Sequence, residues 1–241
     1  MKPVLELESV SAGYGQDPIL VDFSAVIPHA TITTVIGANG AGKSTLLRVI
    51  FGLNVHMGGR ILFEGQEIQK ESPADRLRRG LGFVPQGRCN FPLMSVRENL
   101  ELGAYSIASS KAKDAIERML TMFPMLARKL KVLAGNLSGG EQQILETAMV
   151  LVTQPRLLLL DEPSLGLSPT ALWQVFDTLE DIRGGGVTVL LVEQNASAAL
   201  EISDTAIVME LGRKVLEAPA AETLKDPRIK AAYLGGKPVQ A

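Results

Sequence analysis

The stretch Gly37-Ala38-Asn39-Gly40-Ala41-Gly42-Lys43-Ser44-Thr45 constrains this chain more than any other. An apolar, β-branched run from Thr31 to Ile36 precedes it, and Leu46-Leu47-Arg48-Val49-Ile50 follows with helical spacing. Strand, glycine loop and helix are the context that a G-x-x-x-x-G-K-[ST] phosphate loop needs. Its glycines let successive N–H groups converge on one anion, and the positive end of the following helix adds to the same point. Lys43 supplies a cation for β- and γ-phosphates, and the Ser44 hydroxyl suits Mg²⁺. A glycine-rich turn without a ligand is the plain alternative, and the full motif in this setting argues against it. The implied ligand is a nucleoside triphosphate.

Composition narrows the remaining classes. With 241 residues the chain suffices for one large domain, or one domain with a subdomain. Net charge is −2 without a basic block, so nothing electrostatic recommends a nucleic-acid partner. The single cysteine, Cys89, precludes an internal disulfide and has no neighbouring His or Cys that would suit a metal or a nucleophile. The N-terminus lacks the apolar core of a signal peptide, and no apolar run approaches the ~20 residues needed to span a bilayer. Any membrane connection is expected to come through a partner.

Along the chain, Val4–Val10 reads as a half-exposed strand, Ser11–Gly15 as a turn, and Ile19–Ile27 as a second strand. Gly58-Gly59-Arg60 reads as a lead into a strand at Ile61–Phe63, and Gly65 as a turn toward a helix at Pro73–Arg79. Leu81–Val84 is a short strand ending at Pro85-Gln86. From Cys89 to about Val152 the pattern is mainly helical, with helices over Val96–Leu102, Lys111–Met122 and Glu141–Val152. This reads as a helical subdomain inserted into an α/β core. The core resumes with Arg156–Asp161, a continuous apolar run expected of a strand buried on both faces. A helix over Pro169–Ile182, a strand over Val187–Val192, a helix over Ala196–Ile202 and a closing hairpin, Thr205–Met209 with Lys214–Leu216, follow. One or two short helices finish the chain, and Gly236–Ala241 is expected to fray.

Two further motifs carry chemistry. Leu158-Leu159-Leu160-Asp161-Glu162 puts two carboxylates at the carboxyl end of a buried strand, the edge where open α/β sheets bind ligands. Asp161 is placed to hold Mg²⁺, directly or through water, and Glu162 to polarise a water against the γ-phosphate. An acid pair at a helix start is the ordinary alternative, weakened by the phosphate loop upstream. Leu137-Ser138-Gly139-Gly140-Glu141-Gln142-Gln143 also fits a plain capping box, Ser138-x-x-Glu141. Its position a short helix upstream of the acidic strand favours a functional reading.

These motifs, in this order, resemble the ATP-binding subunit of an ABC transporter from Leu5 to about Leu234. The resemblance implies an ABC-type P-loop core with an antiparallel β subdomain and the inserted helical subdomain, all in a single ATP-binding domain. It further implies two such subunits, identical or not, packed head to tail around two ATP molecules. The signature Ser138-Gly139-Gly140-Glu141 would grip the γ-phosphate on the other chain's phosphate loop. Tyr14 matches the aromatic that stacks on adenine, although a core tyrosine is its bland alternative. Gln86 matches the glutamine that reaches Mg²⁺ and links the site to the helical subdomain. Ser164–Pro169 occupies the loop that crosses the dimer interface, and Gln194 occupies the catalytic switch position.

Three departures stand out. The switch is usually histidine, Ser168 stands where aspartate is frequent, and Met149 in Glu146-Thr147-Ala148-Met149-Val150-Leu151 replaces an arginine. Gly87-Arg88-x-x-Phe91-Pro92, Ser95–Leu100, Pro163–Leu167 and Val192-Glu193-Gln194-Asn195 resemble the branched-chain amino-acid importers, in the ATPase subunit carrying glutamine at the switch. Urea and short-amide importers share much of this pattern. The resemblance implies polytopic membrane permease subunits, docked near Gln86 and Phe91–Val96, and indirectly a periplasmic or extracellular substrate-binding protein. It also implies a peripheral place on the cytoplasmic face of the inner membrane. A soluble ABC ATPase is one competing class, but repair types need long coiled-coil insertions and translation types usually carry two cassettes. A nucleotide-binding structural half that does not hydrolyse ATP is another, which Glu162 argues against and Gln194 keeps open.

Overall fold

The structure, a computed structural model, describes residues 2–15 and 17–233. The chain opens with two long strands, β1 (Leu5–Tyr14) and β2 (Asp17–Ile27), followed by β3 (Ile32–Gly37) and α1 (Lys43–Phe51). Then come β4 (Val55–Phe63), β5 (Gln66–Glu67), α2 (Pro73–Arg79) and β6 (Leu81–Val84). The inserted helices are α3 (Val96–Gly103), α4 (Ser109–Met122), α5 (Pro124–Arg128) and α6 (Gly139–Leu151). The remainder runs β7 (Leu157–Asp161), α7 (Pro169–Gly184), β8 (Thr188–Val192), α8 (Ala196–Glu201), β9 (Thr205–Glu210), β10 (Arg213–Pro219), α9 (Ala220–Thr223) and α10 (Pro227–Tyr233).

The strands form two sheets. One is antiparallel in the order β2-β1-β4-β5, and the other runs β10-β9-β3-β8-β7-β6. In the second sheet β9, β3, β8, β7 and β6 are mutually parallel and β10 is an antiparallel edge. The strand preceding the phosphate loop, β3, and the acidic strand, β7, both flank β8, so their carboxyl ends open on one edge.

Period-two alternation assigns each face of that sheet a different neighbour. Leu158, Leu160, Val189 and Leu191 join a core shared with α3, α4, α6 and α7. Leu157, Leu159, Leu190 and Val192 face α1 and the antiparallel sheet. All four leucines of β7 are completely buried, as expected of a strand covered on both faces. The inserted helices therefore share one continuous apolar cluster with the sheet.

Two features differ from the expected pattern. Ser11–Tyr14 continues β1, and Gly58-Gly59 lies within β4. The cause is a bulge at Ser9, whose φ is 49°, with register shifts between Glu8 and Ala12 that break the simple alternation. Gly59 is needed opposite it: its φ is 82°, and a Cβ there would sit 2.3 Å from the Ser9 carbonyl oxygen. The short elements β5 and α5 carry too few residues for a periodic signal. The region expected to fray, Gly236–Ala241, lies outside the described residues.

Arg76 locks α2 onto the loop-bearing helix. It is 1% exposed, and its Nη1 donates to the Val49 and Ile50 carbonyls at 2.7 and 2.6 Å. These are carbonyls at the end of α1, where a cation also meets the negative end of the helix.

Candidate active site

The phosphate loop is built as a cradle of donors. Gly42 caps α1 with φ 97°, a left-handed value that strains any residue with a Cβ, and it brings no side chain to occupy the first N–H groups. Those donors point at the positive end of the helix, ready for an anion. Lys43 is 5% exposed, and its Nζ donates to the Gly37 and Ala38 carbonyls at 2.9 and 3.2 Å. An ammonium has three N–H donors, so one stays available.

The acidic strand meets this loop. Ser44 Oγ donates to Asp161 Oδ1 at 2.9 Å, while Asp161 Oδ2 is buried with no partner. Burial raises the Asp161 pKa, the Ser44 bond opposes that, and the neighbouring Glu162 charge adds to it. An orphaned carboxylate oxygen beside a hydroxyl suits a hard divalent cation. Among the described residues no cluster of three or more His, Cys, Asp or Glu could hold a metal. A cation here therefore needs hydroxyl, amide and phosphate oxygens as further ligands.

Glu162 sits one residue further on, with φ 51°, and its backbone N–H donates to the Val192 carbonyl at 2.9 Å. Gln86, at the end of β6, donates from Nε2 to Glu162 Oε2 at 2.9 Å. Gln194 leaves the end of β8. A cleft of about 400 Å³ is lined by Ile19, Asn39, Gly40, Gly42, Lys43, Ser44, Thr45, Gln86, Glu162, Leu165 and Gln194. Tyr14 is not among the lining residues. It is half exposed, and its hydroxyl accepts from Arg48 Nη1 at 3.1 Å, which ties it to α1.

The signature lies elsewhere. Ser138 caps α6, and the capping box is fully formed: Glu141 N–H donates to Ser138 Oγ at 3.4 Å, and Ser138 N–H to Glu141 Oε2 at 3.0 Å. Lys129 Nζ donates to Glu141 Oε1 at 2.6 Å, and this bond is the main reason its carboxyl lies below the usual range. Glu141 is thus occupied within its own chain, whereas Ser138 and Gly139 are exposed at the start of the helix. Gly139 lines a second cleft of about 190 Å³, which shares only Glu162 and Leu165 with the first. None of Leu137–Gln143 lines the first cleft.

A third concavity, about 380 Å³ and mainly apolar, lies under the helical subdomain, with Phe83, Phe91, Leu102, Tyr105 and Met149 among its walls. The loop after Gln86 runs from the first cleft to this groove.

Comparison with known proteins decides the family. Residues 20–165 match the ABC transporter family model. The chain is 42% identical over 233 residues to the high-affinity branched-chain amino acid transport ATP-binding protein BraG of Pseudomonas aeruginosa, across 97% of this chain and 100% of that one. This chain belongs to the ABC transporter ATP-binding family. It is 40% identical to the probable branched-chain amino acid transport ATP-binding protein LivF of Archaeoglobus fulgidus, across 96% of this chain and 99% of that protein. A crystal structure of an ABC transporter's ATP-binding cassette in its ADP conformation superposes with a TM-score of 0.86 at 26% identity. That match spans 98% of this chain and 100% of the other. The protein is therefore a nucleotide-binding ATPase of the kind coupled to transport, and among its described residues no helix is long and apolar enough to cross a membrane.

Three side chains of this ABC ATPase do work that the motifs did not disclose. Ser168 caps α7, its Oγ accepting from Ala171 N–H at 3.3 Å, which aspartate would do equally well. Glu146, 3% exposed, accepts at Oε1 from the backbone N–H of Cys89 and Asn90 and, at 2.6 Å, from Asn90 Nδ2. It anchors the Gln86 loop to the signature helix. Burial raises its pKa, and the Cys89 and Asn90 donors oppose that. Gln142, one turn earlier and 3% exposed, accepts from the same Asn90 amide, so the buried face of the helix carries a polar pair. The third is Glu193, buried beside Gln194.

Proposed function

We propose that this chain is the ATP-hydrolysing subunit of a membrane importer for branched-chain, hydrophobic amino acids. The observation that carries the substrate class is the identity to BraG, spread over 97% of the chain. Two ATPase chains would pair head to tail, each exposed Ser138 and helix start completing the other chain's phosphate loop. The separation of the two clefts in one chain supports this pairing, since the signature has no phosphate to meet at home.

In this reading the loop N–H groups and Lys43 bind the β- and γ-phosphates, and Tyr14 covers the adenine. Ser44, Gln86 and Asp161 would hold Mg²⁺, which supplies charge neutralisation across the β- and γ-phosphate oxygens. Glu162 takes a proton from a water as that water's oxygen bonds the γ-phosphorus; the β–γ bridging oxygen leaves with ADP, and inorganic phosphate results. Gln86, bonded to Glu162, orients the carboxylate. Gln194 donates an amide N–H to the γ-phosphate and, unlike histidine, carries no proton to relay.

The membrane subunit is assigned to the apolar groove, through a helix with an apolar face. Continuity supports this: the loop after Gln86 spans cleft and groove, and Tyr105 in the groove wall is 89% exposed. Val96, expected to take part, is the first residue of α3 and fully buried, so the docking face is narrower than its sequence suggested. Vesicles holding the reconstituted complex should accumulate radiolabelled leucine, isoleucine and valine on ATP addition, with negligible urea uptake. Urea uptake without leucine uptake would move the assignment to a short-amide importer.

A further inference from the structure

Two loops leave the carboxyl edge of the parallel sheet side by side, and one buried carboxylate holds them together. Glu193 directly follows β8 and is 1% exposed. Its Oε1 accepts from Ser164 N–H at 2.9 Å. Its Oε2 accepts from Ser164 Oγ at 2.8 Å and from Gln194 N–H at 3.1 Å. Among the described residues it takes part in no ion pair. A buried carboxylate without a counter-cation is costly unless several oriented donors satisfy it. Here the donors come from the loop after β7 and from the switch residue itself.

What this clamp holds is the strained turn at Glu162. That residue has φ 51°, a left-handed value which a non-glycine residue keeps only when its surroundings over-determine it. On one side its N–H is bonded to the Val192 carbonyl. On the other, two residues on, Ser164 is bonded through both its N–H and its hydroxyl to Glu193. The strand ends carrying Glu162 and Gln194 thus form one frame, pinned by the residue between Val192 and Gln194.

The geometry points to Glu193 as a positioning residue for ATP hydrolysis, acting through Ser164 to hold Glu162 and the Gln194 amide in register across the cleft. This rests on the roles proposed above for Glu162 and Gln194. Glu193 touches neither nucleotide nor water in this account. A glutamine in its place keeps one acceptor but turns an N–H₂ toward Ser164, so at least one tie is lost.

The test is steady-state ATP hydrolysis by the full chain, with ATP affinity measured separately by equilibrium titration. Glu193→Gln should lower kcat about tenfold while leaving ATP affinity within about twofold, because the phosphate loop is untouched. Ser164→Ala should lower kcat several-fold, Ser164→Thr should retain most of the rate, and Glu193→Gln with Ser164→Ala should lose no more than Glu193→Gln alone. Should Glu193→Gln fail to fold, the Ser164→Ala and Ser164→Thr pair carries the test. An unchanged kcat in Glu193→Gln and Ser164→Ala, or losses that simply add, overturns the inference. Glu162→Gln, assayed alongside, separates the two layers: wild-type turnover there removes the proposed base, whereas an inert Glu162→Gln beside a fully active Glu193→Gln removes only the clamp.

Discussion

At the scale of single residues, the proposed function gives Lys43 and Gln194 separate roles toward ATP. Lys43 donates to the phosphate loop's own carbonyls, and a third N–H is left for phosphate oxygens. Lys43→Ala should lower ATP affinity by about 100-fold, the worth of one charge-assisted contact, in an equilibrium titration. Unchanged affinity would contradict the assignment of the loop. Gln194 offers an amide donor where histidine could also carry charge. A charge-assisted bond exceeds a neutral one by about 1 kcal/mol, so Gln194→His should raise turnover several-fold at most. With a reference pKa of about 6.5 the histidine is charged below that value and neutral above it, so the gain should be larger at about pH 6 than at about pH 8. A slower histidine variant across that range would point to a switch built around glutamine.

At the scale of elements, the joint between α1 and α2 depends on Arg76. Arg76→Ala removes the donor to two buried carbonyls and the cation at the end of the loop-bearing helix. That should cost about 2–4 kcal/mol and lower Tm by roughly 5–15 °C in a thermal melt. A shift under a degree would show that water satisfies those carbonyls. Nothing in the sequence marks Arg76, because it shares a short helix with Arg78 and Arg79 and all three read as solvated. The motifs were legible because strand, loop and helix each left a local signature around Lys43, Asp161 and Ser138. The bulge at Ser9 was not, since it removes the alternation by which β1 would be recognised. Nor were the ties from Glu146 and Glu193, which join segments 56 and 29 residues apart in sequence and exist only once the chain has folded.

At the scale of the whole molecule, the sheet presents Asp161, Glu162 and Gln194 on one edge, while the inserted helices offer an apolar groove through the same core. Glu146 stands between them, lining both the groove and the signature cleft. A membrane subunit seated on the groove would therefore press on the loop that carries Gln86, and through it on Glu162. Phe91→Asp puts a charge into the groove wall, where burial without a partner costs several kcal/mol. It should abolish co-purification with the membrane subunits while leaving ATP affinity of the isolated chain intact. Full recovery of the complex would place docking elsewhere.

Under the proposed function Glu162 would activate the water that attacks ATP, in a site closed by a second chain. Glu162→Gln keeps the shape and the bonding to Gln86 but removes the base, so the single-turnover rate of ATP cleavage should fall by roughly 100-fold or more at unchanged ATP affinity. The bound ATP should then hold two chains together as one species on size exclusion. Cleavage at the wild-type rate in Glu162→Gln would contradict the account.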